Sequence, residues 1–181
     1  MLEDGKIIEL FEDGRTEEAF NNIVSSYKER LYWHIRRMAG NHDDADDILQ
    51  NTFVKIWAGL PSFRGESRLF TWIYRIATNE VITFLGKKRL RACLSFKPYS
   101  AIAAAEIEAD PYFDGDAITR KLYKTIASLP SKQRIVFNMR YFDEMKYEDM
   151  SEILGTSVGA LKASYHHAYK KIVAQMKENF G

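Results

Sequence analysis

Aromatic and basic side chains alternate along residues 62–79, a pattern suited to holding unpaired nucleic-acid bases. Aromatic faces stack on bases, while arginine and lysine hold the sugar–phosphate backbone. Trp72, Arg75 and Asn79 fall on one stripe of a predicted helix, and an asparagine amide can hydrogen-bond a base edge. The residues predicted to bind a nucleic-acid strand are Arg64, Arg68, Trp72, Arg75 and Asn79. Because aromatic residues at helical spacing are usually core, Phe70, Tyr74 and Phe84 are instead predicted to face inward.

An acidic amphipathic helix precedes this segment, beginning near Asp43. Gln50 follows Asp46 by four positions and Asp47 by three, so the three side chains share a face. Their charges repel nucleic acid, so the face is better suited to docking a basic protein. The alternative, a solvated face whose acidic residues favour the helix N-terminus, stays open from these residues alone.

The C-terminal segment reads as a short helix, a glycine turn and a longer helix, which is the pattern of a helix-turn-helix. Gly155-Thr156 forms the turn, and Ser157 caps the second helix. The outward side of that helix carries candidates for base edges and phosphates in a major groove. They are Gly159, Lys162, Ala163, His166, His167 and Lys170. Many helical hairpins with a glycine turn bind nothing, so the basic face is what favours the DNA-binding interpretation.

The chain as a whole is predicted to be all-α, because no segment shows a convincing strand alternation. A helix ends at Gly40, and the aromatic-basic helix is capped at Ser67 and ends near Gly86. The expected division is a first helical domain over residues 1–89, a flexible linker over 90–117 with a helical turn near 101–109, and a second domain over 118–181. Other expected features are N-caps at Thr16 and Ser131 and a buried Trp57.

Composition limits the classes of function further. The 181 residues are 46% apolar, with a formal net charge of +1 and one cysteine, Cys93. A core is therefore expected, an intrachain disulfide is excluded, and the absence of a signal-like start or a membrane-length apolar run predicts a cytoplasmic protein without membrane insertion. The four histidines are split between the two predicted domains, and no phosphate loop or catalytic carboxylate pair is evident. Neither a metal or cofactor nor an enzymatic activity is expected.

These blocks, in this order, resemble the extracytoplasmic-function group of bacterial RNA polymerase sigma factors. The resemblance runs from about Phe20 to Met176 and is carried by D-A-D-D-I-L-Q-N-T-F, by F-R-G-E-S-R-L-F-T-W-I-Y-R-I-A-T-N, and by L-P-S-K-Q-R-I-V-F with the terminal helix-turn-helix. It implies two small helical domains, sigma regions two and four. The implied partners are core polymerase, through the β′ clamp helices and the β flap, promoter DNA, and an anti-sigma factor.

The resemblance also implies roles for individual residues. Core polymerase would be bound by Asp46, Asp47, Gln50 and Phe53. The minus-ten element, with a flipped non-template base, would be bound by Arg64, Arg68, Trp72, Arg75, Asn79, Lys87 and Lys88. The minus-thirty-five element would be bound by Ser157, Lys162, Ala163, His166, His167 and Lys170.

The C-terminal helix departs from the family pattern. His167-Ala168-Tyr169 stands where R-A-R is usual, and Ser164 stands where a basic residue is common. Neutral side chains contact phosphate more weakly than arginine does, so weaker upstream contacts are expected. An ordinary helix-turn-helix regulator with a helical dimerisation or ligand-binding domain is the alternative. It leaves the acidic block and the aromatic-basic helix unexplained.

Overall fold

A computed structural model describes residues 4–95, 98–113 and 117–178. Within these ranges the chain is all-α, as predicted, with nine α-helices and no β-strand. The first four are α1 (Asp4–Glu12), α2 (Thr16–Ala39), α3 (His42–Gly59) and α4 (Leu69–Leu94). They are followed by α5 (Tyr99–Glu108), α6 (Ala117–Ser128), α7 (Ser131–Tyr141), α8 (Tyr147–Leu154) and α9 (Val158–Lys177). Two short 3₁₀ helices, Leu60–Ser62 and Pro111–Phe113, lie in the connections.

Helices α1 to α4 pack around an apolar core that includes Ile23, Leu31, Ile56 and Ile73, all completely buried. Helix α1, which no spacing in the sequence indicated, is short but contributes the buried Ile7. Its Asp4 accepts a hydrogen bond of 2.7 Å from the Tyr27 hydroxyl. Burial and this carboxylate both raise the pKa of Tyr27 above its ordinary value.

The C-terminal helices α6, α7 and α9 bury a second apolar cluster around Ile126, Phe137 and Ala168. Gly155 adopts the left-handed conformation (φ 59°) between α8 and α9, and the Ser157 hydroxyl accepts from the amide of Ala160, so the predicted turn and cap are present. Met145 and Met150 belong to the same buried cluster as the core of α1 to α4. The N-terminal and C-terminal helices therefore pack directly against one another.

The predicted end of α4 near Gly86 is wrong, because this helix continues to Leu94. Leu85 and Ala92 are buried at (i, i+7) spacing, and Lys88 between them pairs with Asp44 and Glu106. These tertiary contacts outweigh the cost of about 1 kcal/mol that a glycine imposes inside a helix.

The predicted linker also holds more helix than one turn. Helix α5 spans ten residues, a length that its alanine content favours, and buries Ala103 and Ile107 against Ala127 of α6. Three of the predicted cap positions are off by one residue. Thr16 and Ser131 are the first residues of their helices, and Arg68 rather than Ser67 flanks α4. Gly40 ends α2 in the left-handed conformation, as predicted.

Candidate nucleic-acid interface

The loop between α3 and α4 encloses a cavity of about 430 Å³. A 3₁₀ turn begins the loop, the Ser62 hydroxyl donates to the carbonyl of Gly59, and Gly65 takes a positive φ of 68°. The cavity is lined by Ser62, Phe63, Arg64, Glu66, Ser67, Trp72 and Arg75. Three residues predicted from the sequence to contact a strand, Arg64, Trp72 and Arg75, are thus brought around one concave site.

Aromatic rings form one wall of this cavity. The Phe63 and Trp72 rings lie 5.0 Å apart at an interplanar angle of 45°. The end of α3 supports the indole from behind, because a β-carbon added at Gly59 would lie 3.0 Å from a ring carbon of Trp72. This support holds an aromatic face at the cavity, where a base could stack.

The remaining candidates on α4 differ in how available they are. Asn79 and Lys87 are exposed, but Arg68 forms an ion pair with Asp149 and the Arg75 Nη2 donates to the carbonyl of Glu152 at 2.9 Å. Both partners lie on α8. Arg68, which flanks α4, and Arg75, within it, therefore both contact the C-terminal helices.

Lys88 lies in a different environment from the other basic candidates. Its ammonium donates to Asp44 at 2.7 Å and to Glu106 at 2.6 Å, and its side chain is only 14% exposed. Burial by itself would lower the pKa of Lys88, but the two carboxylates outweigh burial and raise it above its ordinary value. In this conformation Lys88 ties α3, α4 and α5 together and does not face solvent with Lys87.

The acidic face of α3 adjoins an apolar groove. Asp47 and Gln50 are exposed, while Asp46 is half-buried and lies 3.3 Å from the His42 Nε2. The groove has a volume of about 580 Å³ and is lined by Phe20, Val24, Lys28, Asp46, Leu49, Gln50, Phe53 and Val54. The surface predicted as acidic is therefore a mixed acidic and apolar surface.

Trp57, predicted to be buried, is 44% exposed beside this groove. Its ring packs edge-on against Phe20 at 5.1 Å and leaves the other side open. Val54 is 66% exposed on the same helix. Phe20 and Val24 were not predicted at this surface, because they follow the core spacing of α2. Only the packing of α3 shows that both residues remain partly accessible.

The outward face of α9 is open along its length. Lys162, Ala163 and His166 are exposed, as are His167 and Lys170. The Lys162 ammonium lies 5.6 Å from the centre of the Tyr147 ring, a cation–π contact that restrains it. Ser157 has a structural role, since its hydroxyl caps the helix.

Among the residues that the structure describes, no group of three or more histidine, cysteine, aspartate or glutamate side chains could hold a metal ion. No helix in the same residues is long and apolar enough to cross a membrane.

Comparisons with known proteins give the same assignment to both halves of the chain. The family model "Sigma-70 region 2" matches residues 23–91, and "Sigma-70, region 4" matches residues 119–172. The chain is 29% identical over 170 residues to the ECF RNA polymerase sigma factor SigW of Bacillus subtilis, covering 90% of this chain and 91% of that protein. It is 28% identical over 186 residues to the ECF RNA polymerase sigma-E factor of Escherichia coli K12, covering 94% and 93%.

Two solved structures share the fold. CnrH, in complex with the cytosolic domain of CnrY, matches with a TM-score of 0.64 and 21% identity over 90% of each chain. The sigma factor RpoE from Bartonella quintana, in complex with the anti-sigma factor NepR, matches with a TM-score of 0.66 and 22% identity, covering 88% of this chain and 98% of that one.

Proposed function

The chain belongs to the extracytoplasmic-function group of the sigma-70 family and acts as a sigma factor in transcription initiation, and from this premise we propose which surfaces carry each step. The match to region 2 accounts for the acidic block and the aromatic-basic helix that an ordinary helix-turn-helix regulator leaves unexplained. The roles proposed are non-enzymatic and belong to the cytoplasm, where RNA polymerase works.

The acidic and apolar surface of α3 is proposed to bind core polymerase at the β′ clamp helices. Asp46, Asp47 and Gln50 supply the polar contacts, and Phe53 lines the groove beside them. Depletion of charge at the centre with charge at the rim is typical of protein interfaces, and rim charges chiefly steer association. The C-terminal helices would make the second contact with core, at the β flap.

The loop cavity is proposed to capture an unpaired non-template base of the minus-ten element. The Phe63 and Trp72 wall provides stacking, and Arg64 and Arg75 provide hydrogen bonds and charge. Asn79 does not line the cavity but is exposed further along α4, where it can contact a neighbouring base. Flipping a base costs a few kcal/mol, which stacking and pocket contacts must offset. Promoter opening would then be driven by binding of the open strand, without nucleotide hydrolysis. This assignment rests chiefly on the cavity and the side chains that line it.

Helix α9 is proposed to read the minus-thirty-five element through Lys162, Ala163, His166, His167 and Lys170. Their exposure along one helical face fits insertion into a major groove.

The two DNA-binding units are proposed to extend over residues 1–89 and 118–181, with 90–117 between them. First cleavage by a protease within 90–117, releasing two helical fragments, would support this division, and first cleavage inside α3 or α9 would contradict it.

An anti-sigma factor is proposed as a further partner. The two solved structures named above are both complexes with a second protein: CnrH with the cytosolic domain of CnrY, and the Bartonella sigma factor RpoE with the anti-sigma factor NepR. The chemistry on this chain that suits such a partner is the exposed apolar groove beside Phe53 and Val54.

In vitro transcription with core polymerase over a genomic promoter library tests the whole proposal. The chain should direct initiation at a defined promoter set, and Asp47→Lys should weaken core binding because it places a like charge against a basic partner. Glu178→Lys, an exposed site at the end of α9, makes the same charge change as a control. Equal core affinity of both variants, with normal circular dichroism, would overturn the docking assignment.

A further inference from the structure

The last two turns of α4 carry an exposed face of basic and apolar side chains. Lys87, Leu90, Arg91 and Leu94 have (i, i+3, i+4, i+7) spacing and therefore share one face of the helix. Leu90 and Leu94 are 63% and 72% exposed, and the two basic residues are exposed as well. These four residues are called the α4 stripe below. Because large apolar side chains are usually buried, neighbouring exposed leucines indicate an interaction surface.

Helix α5 packs on the other side of α4 and leaves this stripe open. Lys88 pairs with Glu106 of α5, and the Arg89 guanidinium lies 5.1 Å from the centre of the Tyr99 ring, also on α5. Among the residues that the structure describes, no carboxylate pairs with either basic residue of the stripe. The charge of the stripe is therefore available to a partner.

The charge around the stripe indicates the chemistry of that partner. Residues 81–105 contain no acidic residue and five basic ones, namely Lys87, Lys88, Arg89, Arg91 and Lys97. A second copy of the chain would bring the same cations to the contact, and two leucines supply far less than the roughly 800 Å² per partner of a stable protein interface. A polyanion with apolar edges, such as DNA, fits the stripe better.

The stripe also continues the surface that is proposed to bind the opened strand. Helix α4 runs without a break from Leu69 to Leu94, and Arg91 lies twelve residues beyond Asn79. This separation is about 18 Å along the helix axis, or about five base pairs if α4 lies along the DNA. The end of α4 leads into residues 90–117 and on to the unit proposed to bind the upstream element. The stripe is thus placed on the upstream side, where the DNA is still paired.

We propose that the α4 stripe binds the double-stranded DNA immediately upstream of the opened minus-ten segment. Lys87 and Arg91 contact phosphates, while Leu90 and Leu94 pack against sugar rings and thymine methyl groups. This surface is a third DNA contact, between the base cavity and the upstream element assigned to α9. The inference rests on the proposed function of α4 and moves Lys87 from the opened strand to the paired DNA.

The test uses the complex with core polymerase and two fluorescent probes that share one single-stranded minus-ten segment. One probe ends there, and the other carries a duplex arm upstream of it, about eight base pairs or ~27 Å long, which is too short to reach the minus-thirty-five element. The gain in affinity from the arm is the quantity measured. Arg91→Ala should reduce this gain about three- to fivefold and lower its salt dependence by about 0.9 in log–log slope. Lys6→Ala, which removes an exposed charge from α1, should leave the gain unchanged.

The leucines are tested by a double variant, Leu90→Ser with Leu94→Ser. It should also reduce the gain from the arm severalfold, but without changing the salt dependence, because no phosphate contact is lost. Replacement of both leucines by methionine should retain most of the gain. Circular dichroism confirms that each variant is folded.

An unchanged gain from the arm in folded Arg91→Ala and in the double serine variant would overturn the proposal. Weaker binding of core polymerase by the serine variant, or loss of a self-association seen in the free chain, would assign the stripe to a protein partner and also overturn it. Failure of the underlying function gives a different result, since Trp72→Ala would then bind the arm-free probe like the unmodified chain. If the inference alone is wrong, Trp72→Ala weakens binding of both probes and Arg91→Ala changes neither.

Discussion

The two proposed DNA-binding surfaces are built in opposite ways. The strand surface is concave, with a cavity of about 430 Å³ between a loop and α4 and an aromatic wall supported from behind by the end of α3. The duplex surface is one exposed face of a single helix, α9, and no loop encloses it. Recognition of an unpaired base needs enclosure and stacking, whereas a groove provides the enclosure when a helix enters duplex DNA.

The charges on the two surfaces differ as well. Arginines line the strand surface, while α9 presents two lysines and two adjacent histidines, and His167-Ala168-Tyr169 stands where the family pattern has R-A-R. Arginine binds phosphate in a bidentate manner and stacks on bases, and lysine and neutral histidine do so less well. We therefore expect most of the specific binding energy to come from the N-terminal unit. Substitutions on each surface test that distribution.

Trp72→Ala should have the largest effect, because it removes the stacking wall. Stacking of a base on an aromatic ring contributes about 1–3 kcal/mol, so promoter opening should fall about 5- to 150-fold. Permanganate reactivity of the minus-ten region measures opening. Trp72→Phe should retain most of the activity. Wild-type opening by a folded Trp72→Ala would remove the aromatic wall from the mechanism.

Asn79→Ala and Lys162→Ala should separate the two surfaces. Loss of the Asn79 amide should reduce opening and minus-ten selectivity about fivefold, the value of one hydrogen bond. Loss of Lys162 should leave opening of the bound promoter intact. It should also reduce by about 0.9 the steepness with which the logarithm of upstream duplex affinity falls with the logarithm of salt concentration. Gel shifts on upstream duplex and footprinting of the minus-ten region report the two effects. The assignment of different roles to the two surfaces would be wrong if Asn79→Ala weakened only upstream duplex binding and left promoter opening unchanged.

Gly59→Ala should reduce opening severalfold without loss of stability. The new β-carbon, 3.0 Å from a Trp72 ring carbon, would displace the indole, while alanine favours the helix by up to about 1 kcal/mol over glycine. Gly5→Ala in α1, where a β-carbon meets nothing within 4 Å, is the matched control. Thermal unfolding and opening measured together distinguish a displaced indole from a damaged fold. Equal opening by both variants would show that the position of the indole is not critical.

His167→Arg should have the smallest effect and the opposite sign. An added guanidinium on the groove face should tighten upstream duplex binding a few-fold and steepen its salt dependence by about 0.9 in slope. Ala174→Arg adds the same charge at an exposed site about two turns further along α9. Duplex gel shifts over a range of salt concentrations make the measurement. An equal gain from both variants would indicate attraction by net charge, without groove contact by residue 167.

The helices were more predictable than their ends. Apolar spacing identified α2, α3, α8 and α9, and Gly40 and Gly155 marked turns because each adopts a positive φ. The predictions that α4 ends near Gly86 and that Trp57 is buried were wrong, because tertiary contacts decide both features. A pair of carboxylates holding Lys88 extends α4 through a glycine, and packing against Phe20 covers only one side of the Trp57 ring.

The sequence by itself determined the all-α class, the family, and which side chains carry the charge and aromatic chemistry, because helical periodicity and residue type are local properties. Only the tertiary structure decided that the loop closes into a cavity, that Gly59 supports Trp72, and that Asp149 and Asp143 reach Arg68 and His34. Arg68 and Asp149 are 81 positions apart, and His34 and Asp143 are 109 apart. Such contacts depend on how whole helices pack, and local spacing in the sequence does not specify that packing.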